Sequence, residues 1–229
     1  MKKKSSLTFL GRDSGFGKLN TSAYAIINNR LLLVDCGYTV MPKLLEFNIL
    51  SSVTGIDVII THLHADHAGS LSQLVLYSYY VFKNPVNIIS NCKEIDNFLT
   101  ITGASRFLQT PGFPKERYTR NNDFVTFIKT DHVEDEMDSY GFTTRINGIR
   151  AIYTGDTNTL EPFIPYVEPG CQLFTDASCS GGVHLNLEEN LPLLKDLSSR
   201  GVHVFLMHLD DEKKIRQMIQ GSNIKIAGE

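Results

Sequence analysis

Several features that would define other classes of protein are missing from this chain. No run approaches 18 apolar residues, so no helix is expected to cross a membrane. The basic start, Met1 to Lys4, leads into an apolar stretch that Gly11-Arg12-Asp13 soon ends, too short for the core of a signal peptide. Cysteine is scarce: Cys36, Cys92, Cys171 and Cys179 show no paired spacing. That argues against a disulfide frame and for reduced thiols in a cytoplasmic protein. A basic excess is also absent, with 22 Lys and Arg against 25 Asp and Glu and a net charge of −3. Proteins that track phosphates along a polymer are usually basic, so no long nucleic acid is expected as partner. There is no low-complexity segment, internal repeat or obvious linker. With 229 residues, 42% of them hydrophobic, the chain is expected to form a single domain over residues 1–229.

What the chain does have is concentrated in Thr61-His62-Leu63-His64-Ala65-Asp66-His67-Ala68-Gly69. Three of seven histidines and one aspartate fall here, directly after the apolar run Ile56-Asp57-Val58-Ile59-Ile60, which reads as a buried strand. A strand entering a turn can point His62 and His64 the same way, because alternate residues share a face. Asp66 and His67 lie beyond the strand end and can address a second point. Neutral imidazoles and a carboxylate suit zinc, with iron or manganese as other candidates.

In chain order, a first strand at residues 7–10 precedes Gly11-Arg12-Asp13-Ser14-Gly15-Phe16-Gly17. This glycine-rich segment lacks the setting of a dinucleotide fingerprint and reads as a tight connection. Strands Ser22–Ile27 and Leu31–Asp35 join at Asn28-Asn29, a hairpin signal. Asp35, at a strand end, is either solvated or an acceptor that orients a histidine ligand. Pro42–Leu50 reads as a helix. Residues 70–82 read as a helix apolar around much of its circumference, either buried or a homodimer contact. Asn87–Ser90 is a strand and Cys92–Thr102 a helix. Residues 103–122 carry Arg106, Lys115, Arg117 and Arg120 against one acid. They read as a solvated loop or as a lid that contacts phosphate. Strand Phe124–Thr130 delivers His132. Strands Gly141–Ile146 and Ile149–Tyr153 flank Asn147-Gly148, and the second delivers Asp156. Leu173–Asp176 is a strand, Leu187–Ser199 an amphipathic helix, and Val202–Met207 a strand ending at His208. Helix Asp211–Gln220 and strand Ile224–Ile226 close the chain. His203 lies inside a strand and reads as structural.

His132, Asp156 and His208 each follow an apolar strand, as His62 does. With Leu33-Val34-Asp35-Cys36-Gly37, Thr61 to Gly69 and Tyr153-Thr154-Gly155-Asp156-Thr157, they make the chain resemble the metallo-β-lactamase superfamily along nearly its whole length. The resemblance implies an α/β architecture, an αββα four-layer sandwich of two mixed sheets flanked by helices. It also implies two divalent metal ions. His62, His64 and His132 would hold one, Asp66, His67 and His208 the other, and Asp156 would bridge them. Two such ions, roughly 3.5–4 Å apart, share a water and make hydroxide available as a nucleophile. Asp66 could also accept that water's proton.

Ser139-Tyr140-Gly141-Phe142 and Tyr153-Thr154-Gly155-Asp156 are most similar to the phosphodiesterase branch, which includes tRNA 3′-processing enzymes and cyclic-nucleotide phosphodiesterases. His184 sits where that branch keeps a histidine that protonates the leaving oxygen. The interval between His132 and Asp156 is mostly used by the hairpin and leaves no room for a tRNA-gripping arm. The expected substrate is therefore a small phosphodiester, a cyclic mononucleotide. In plan the chain looks similar to compact phage members of the branch, the anti-Pycsar nucleases, which destroy cyclic pyrimidine signals of bacterial immunity. The alternatives are a tRNA 3′-processing endonuclease and a lactone or thioester hydrolase of the same fold.

Overall fold

A computed structural model describes residues 5–108, 125–133 and 137–229. The first half builds one five-stranded sheet in spatial order β1-β2-β3-β4-β5. Its strands are β1 (Thr8–Gly11), β2 (Ser22–Ile27), β3 (Arg30–Val34), β4 (Ile56–Ile60) and β5 (Val86–Ser90). The β2–β3 turn places Asn28 and Asn29 at φ of 50° and 61°, the two positive values a two-residue hairpin needs. From β3 onward the pairing is parallel, and helices make the crossovers. These are α1 (Val40–Glu46), α2 (Ala65–Ala68), α3 (Leu71–Tyr77) and, after β5, α4 (Ile95–Ile101).

The second half builds a six-stranded sheet in order β11-β10-β9-β8-β7-β6. Here β6 is Val125–Lys129, β7 Tyr140–Ile146, β8 Ile149–Tyr153, β9 Gln172–Asp176, β10 His203–Met207 and β11 Lys225–Ile226. Asn147-Gly148 closes the β7–β8 hairpin with φ of 50° and 78°. Helices α5 (Leu187–Ser199) and α6 (Glu212–Met218) cover the outer face. Each starts on a side-chain cap, Asn186 accepting from Glu188 N–H at 3.0 Å and Asp211 from Lys214 N–H at 3.0 Å.

Period-two alternation sorts each strand between two apolar layers. In β4, Ile56, Val58 and Ile60 face the first-half helices while Ile59 faces the opposite sheet. In β10, Val204 and Leu206 face α5 and α6 while Phe205 and Met207 turn inward. Phe174, Phe205, Tyr153 and Phe142 fill the layer between the sheets, with Phe174 and Phe205 stacked at 5.0 Å between ring centroids. This is the four-layer αββα sandwich.

The helical expectations needed correction, the one over Pro42–Leu50 running instead over Val40–Glu46 with a separate 3-10 turn at Leu50–Ser52. The helix expected over residues 70–82 is regular only to Tyr77, and Ser78–Phe82 continue it as a wider turn of π type. Lys83 at φ 59° and the Asn84 N–H to Ser78 C=O bond of 3.0 Å end it. Tyr77, Tyr79 and Phe82 pack on the core, while Tyr80 and Val81 are exposed. The helix expected from Cys92 starts at Ile95, because Cys92 N–H is held by Ser90 Oγ at 3.2 Å. Glu161–Tyr166 forms a 3-10 turn that the pattern did not suggest. Of the cationic segment, Arg106 lies over the Phe107 ring at 4.6 Å, whereas Lys115, Arg117 and Arg120 fall outside the described residues. Among the described residues no helix is long and apolar enough to cross a membrane.

Phe174 is completely buried between the sheets, so Phe174→Ala removes a ring from the layer both halves share. We expect a loss of about 3–5 kcal/mol, read as a lower urea midpoint with an unchanged denaturant slope.

Candidate metal centre

The strands deliver their functional groups at their carboxyl ends. Asp35 follows β3, His62 follows β4, His132 follows β6, Asp156 follows β8, Asp176 ends β9 and His208 follows β10. In a sandwich these ends share one edge, so residues remote in sequence converge. Asp66 and His67 enter from the first turn of α2. Asp35 and His208 both sit at positive φ, 58° and 54°. This conformation costs about 1–3 kcal/mol in a side-chain-bearing residue and tends to persist at functional sites.

All seven residues named as metal ligands meet. Ligand atoms of His62, His64 and His132 lie within 4.8 Å of one another, and so do those of Asp66, His67, Asp156 and His208. A third group joins Asp156, Asp176, His184 and His208, so six of the seven histidines in the chain are gathered here. His203 is not among them. Asp156 is common to two groups, with Oδ2 at 3.3 Å from His67 Nε2, 3.3 Å from His208 Nε2 and 3.8 Å from His62 Nε2.

The outer hydrogen bonds decide which ring nitrogens face inward. His67 Nδ1 donates to Asp35 Oδ2 at 2.9 Å. His132 Nδ1 donates to the Val183 carbonyl at 2.9 Å. Thr61 Oγ1 gives its own proton to Asp35 and can accept from His62 Nδ1 at 3.1 Å. Each of these rings therefore turns its Nε2 lone pair to the centre. His67 Nε2 and His132 Nε2 are buried with no hydrogen-bond partner, and His62 Nε2 faces His64 Nδ1 at 3.0 Å. Converging unpartnered lone pairs beside carboxylates call for cations, and the donor set fits divalent metal ions.

Charge balance points the same way. Burial, then the neighbouring His67, push the His62 imidazole well below its ordinary value, which keeps it a neutral donor. Burial also opposes charge on His67, yet Asp156 and Asp35 outweigh it and raise that imidazole well above the usual value. His208 is likewise raised to about 10, burial being overcome by Asp156, Asp176 and Asp66. Burial would raise the Asp66 and Asp156 carboxyls, but the histidines around them hold both far below the usual carboxylate range. Without a cation, the surrounding carboxylates raise the proton affinity of His67 and His208 instead.

Two features were not singled out beforehand. Asp176 accepts from His184 Nδ1 at 2.8 Å and so fixes that ring; an aspartate ending an apolar strand, as Asp156 nearly does, was the available signal. The glycine-rich segment, read as a tight connection, also forms a wall of the site. Ser14, Gly15 and Phe16 line a cavity of about 650 Å³, with Tyr38, His64, Asp66, His132, Asp156, His184 and His208. A Cβ on Gly15 would stand 2.9 Å from Asp66 Oδ2, so the loop rests on that carboxylate. Asp35 resolves in favour of the orienting role. His184 occupies the cavity wall on a loop braced by Asp210, which accepts from Ser178 Oγ at 2.7 Å and Cys179 N–H at 2.9 Å.

Two mixed sheets flanked by helices, with this donor set at one edge, define a metallo-β-lactamase-fold protein bearing a candidate divalent-metal centre. The family described as anti-Pycsar protein Apyc1 matches residues 5–226, and the chain belongs to that family. The anti-Pycsar protein Apyc1 of Bacillus phage vB_BveM-Goe7 is 28% identical over 243 residues, spanning 90% of this chain and 89% of that protein. Among solved structures, the metallo-β-lactamase fold protein YhfI of Bacillus subtilis is similar with a TM-score of 0.74 at 21% identity, over 96% of this chain and 94% of that one. The short form of human tRNase Z is similar with a TM-score of 0.66 at 17% identity, over 91% and 93%. At these identities the structural likeness speaks to the fold.

Two outcomes are expected of the centre. Asp35→Asn weakens metal binding roughly 10–100-fold, measured by competition with a chromophoric chelator. In chelated protein, the raised His67 and His208 contribute stability that is complete below about pH 6.5 and lost as pH climbs, for His208 through about 10. The depressed Asp66 and Asp156 contribute stability present above the usual carboxylate range and lost as pH falls. The Tm of chelated protein should therefore fall between pH 6.5 and 10, and divalent ions that replace the protons should flatten that fall.

Proposed function

We propose that the chain is a divalent-metal phosphodiesterase acting on a small phosphodiester, a cyclic mononucleotide. The carrying observation is the make-up of the cavity. Its floor is the imidazole–carboxylate cluster, and no described residue lining it is Lys or Arg. A cavity of about 650 Å³ lies in the range of small-molecule sites, roughly 300–1,000 Å³, whereas tracking a polynucleotide requires cations along the path. Membership of the anti-Pycsar family supports the same reading, as the resemblance is to proteins that destroy cyclic-nucleotide signals.

In this reading His62, His64 and His132 would hold one ion and Asp66, His67 and His208 another, with Asp156 available to both sets. Zinc is the first candidate. Bound divalent ions supply acidification of a water and neutralisation of charge on the phosphoryl oxygens. The protein's own groups do the rest. Asp35 and the Val183 carbonyl keep His67 and His132 in the ligating tautomer. Asp66, whose Oδ2 faces His208 Nε2 at 3.3 Å, could also accept the proton of that water, although a ligand carboxylate is a weak base. Asp176 engages Nδ1 of His184, which leaves Nε2 as the nitrogen that can deliver a proton to the leaving oxygen. Burial opposes the charged form of His184, but Asp176 and Asp156 raise its proton affinity above the ordinary value, as an acid working near neutrality requires.

The test is turnover by metal-loaded protein of cyclic nucleotides, pre-tRNA, a thioester and a lactone, with metal content measured in parallel. Expected are two metal equivalents per chain and hydrolysis of the cyclic phosphodiester with a shallow salt dependence. Salt-sensitive cleavage of pre-tRNA with cyclic nucleotides left intact would overturn the substrate assignment. His184→Ala should lower kcat roughly 10²–10⁴-fold with metal content unchanged. The loss should shrink on a nitrophenyl ester, whose leaving group needs little protonation.

A further inference from the structure

The cavity is charged at its floor and apolar at its mouth. Phe16, Tyr38 and Val183 line it and are exposed at 104%, 47% and 43%. Single exposed apolar side chains are ordinary, but three around the opening of one polar site are a local arrangement. Phe16 contributes nothing to the protein's own packing at that exposure, although the loop carrying it is tightly built. Gly17 N–H donates to the Ser14 carbonyl at 2.9 Å and Ser14 N–H to the Leu209 carbonyl at 3.0 Å. The Asp13 carboxylate accepts from Lys18 and Leu19 N–H at 2.9 and 3.1 Å. Tyr38 O–H donates to the Gly15 carbonyl at 2.8 Å and ties the second ring to the same loop. The glycines on either side are dictated by contact: a Cβ at Gly17 would stand 2.1 Å from Asp13 Cβ, and one at Gly15 would crowd Asp66. The loop thus packs its backbone against a candidate ligand and holds one aromatic ring outward at the cavity mouth.

We propose that Phe16 and Tyr38 are the stacking surface for the planar base of the substrate, whose phosphate lies on the His/Asp cluster. This rests on the phosphodiesterase reading above. A base presents an apolar face that needs no charged partner, and the described lining offers it aromatic surface and no cation. A ring already held at the mouth by a hydrogen-bonded loop loses little freedom on binding.

The experiment compares wild type, Phe16→Ala and Phe16→Trp on two substrates, a cyclic mononucleotide and the corresponding ribose cyclic phosphate without a base. Expected is a rise in KM of roughly 5–100-fold for Phe16→Ala on the nucleotide, with kcat nearly unchanged and restored affinity in Phe16→Trp. On the base-free substrate wild type and Phe16→Ala should have equal kcat/KM. An equal loss on both substrates would show that the loop shapes the cluster and does not bind the base. Unchanged KM on both would remove the platform altogether. A KM rise that appears only where sedimentation shows a changed oligomeric state would make the phenyl ring a contact between copies of the chain. Wild type that leaves cyclic nucleotides intact would instead refute the functional reading, and the platform with it.

Discussion

Six imidazoles and four carboxylates share a buried edge, and neither set could stay there without the other. A carboxylate removed from water without a partner is strongly destabilising, and Asp35, Asp156 and Asp176 are almost wholly buried. Each is compensated: Asp35 by Thr61 and His67, Asp156 by His67 and His208, Asp176 by His184. This mutual dependence fixes ring orientations and tautomers. It also concentrates negative charge where protons, or divalent cations in their place, are held.

The scaffold makes such a cluster possible by putting chemistry and stability on different parts of each strand. Strand interiors alternate between two apolar layers and carry no functional group of the site. Strand ends carry the candidate ligands, and the positive φ at Asp35 and His208 turns the chain there. Close backbone approach adds a second constraint. Gly37, whose Cβ would collide with the Asp66 carbonyl at 1.9 Å, lets the segment after β3 lie against α2. Gly15 does the same for the loop above Asp66. Contacts of this kind couple the first hairpin to the turn carrying Asp66 and His67, beside the hydrogen bond between His67 and Asp35.

Much of this was legible in the residues themselves. Apolar runs ending in His62, His132, Asp156 and His208 marked strands with candidate ligands at their ends, because strand periodicity and terminal polarity are local properties. Both asparagine-containing turns were legible for the same reason, since positive φ restricts the residue types that tolerate it. The overlong helix at residues 70–82 shows where local pattern fails. Apolar composition cannot say where a helix loosens, and the turn at Ser78 is set by the Asn84 N–H bond and Lys83.

Residue identity and spacing marked the histidines and aspartates at strand ends and the order of the strands along the chain, and the superfamily resemblance implied seven candidate ligands, which the fold brings together. Only the tertiary structure decided which carboxylate serves which imidazole. Asp35 and Asp176 each end or follow a strand and look alike in sequence, yet one steadies His67 inside the cluster and the other His184 on the cavity wall. Tertiary structure also turned the glycine-rich segment from a connection into a wall of the site. The physical reason is the same in both cases: hydrogen-bond pairing and steric contact across the two sheets depend on distances between residues far apart in the chain, which no local pattern encodes.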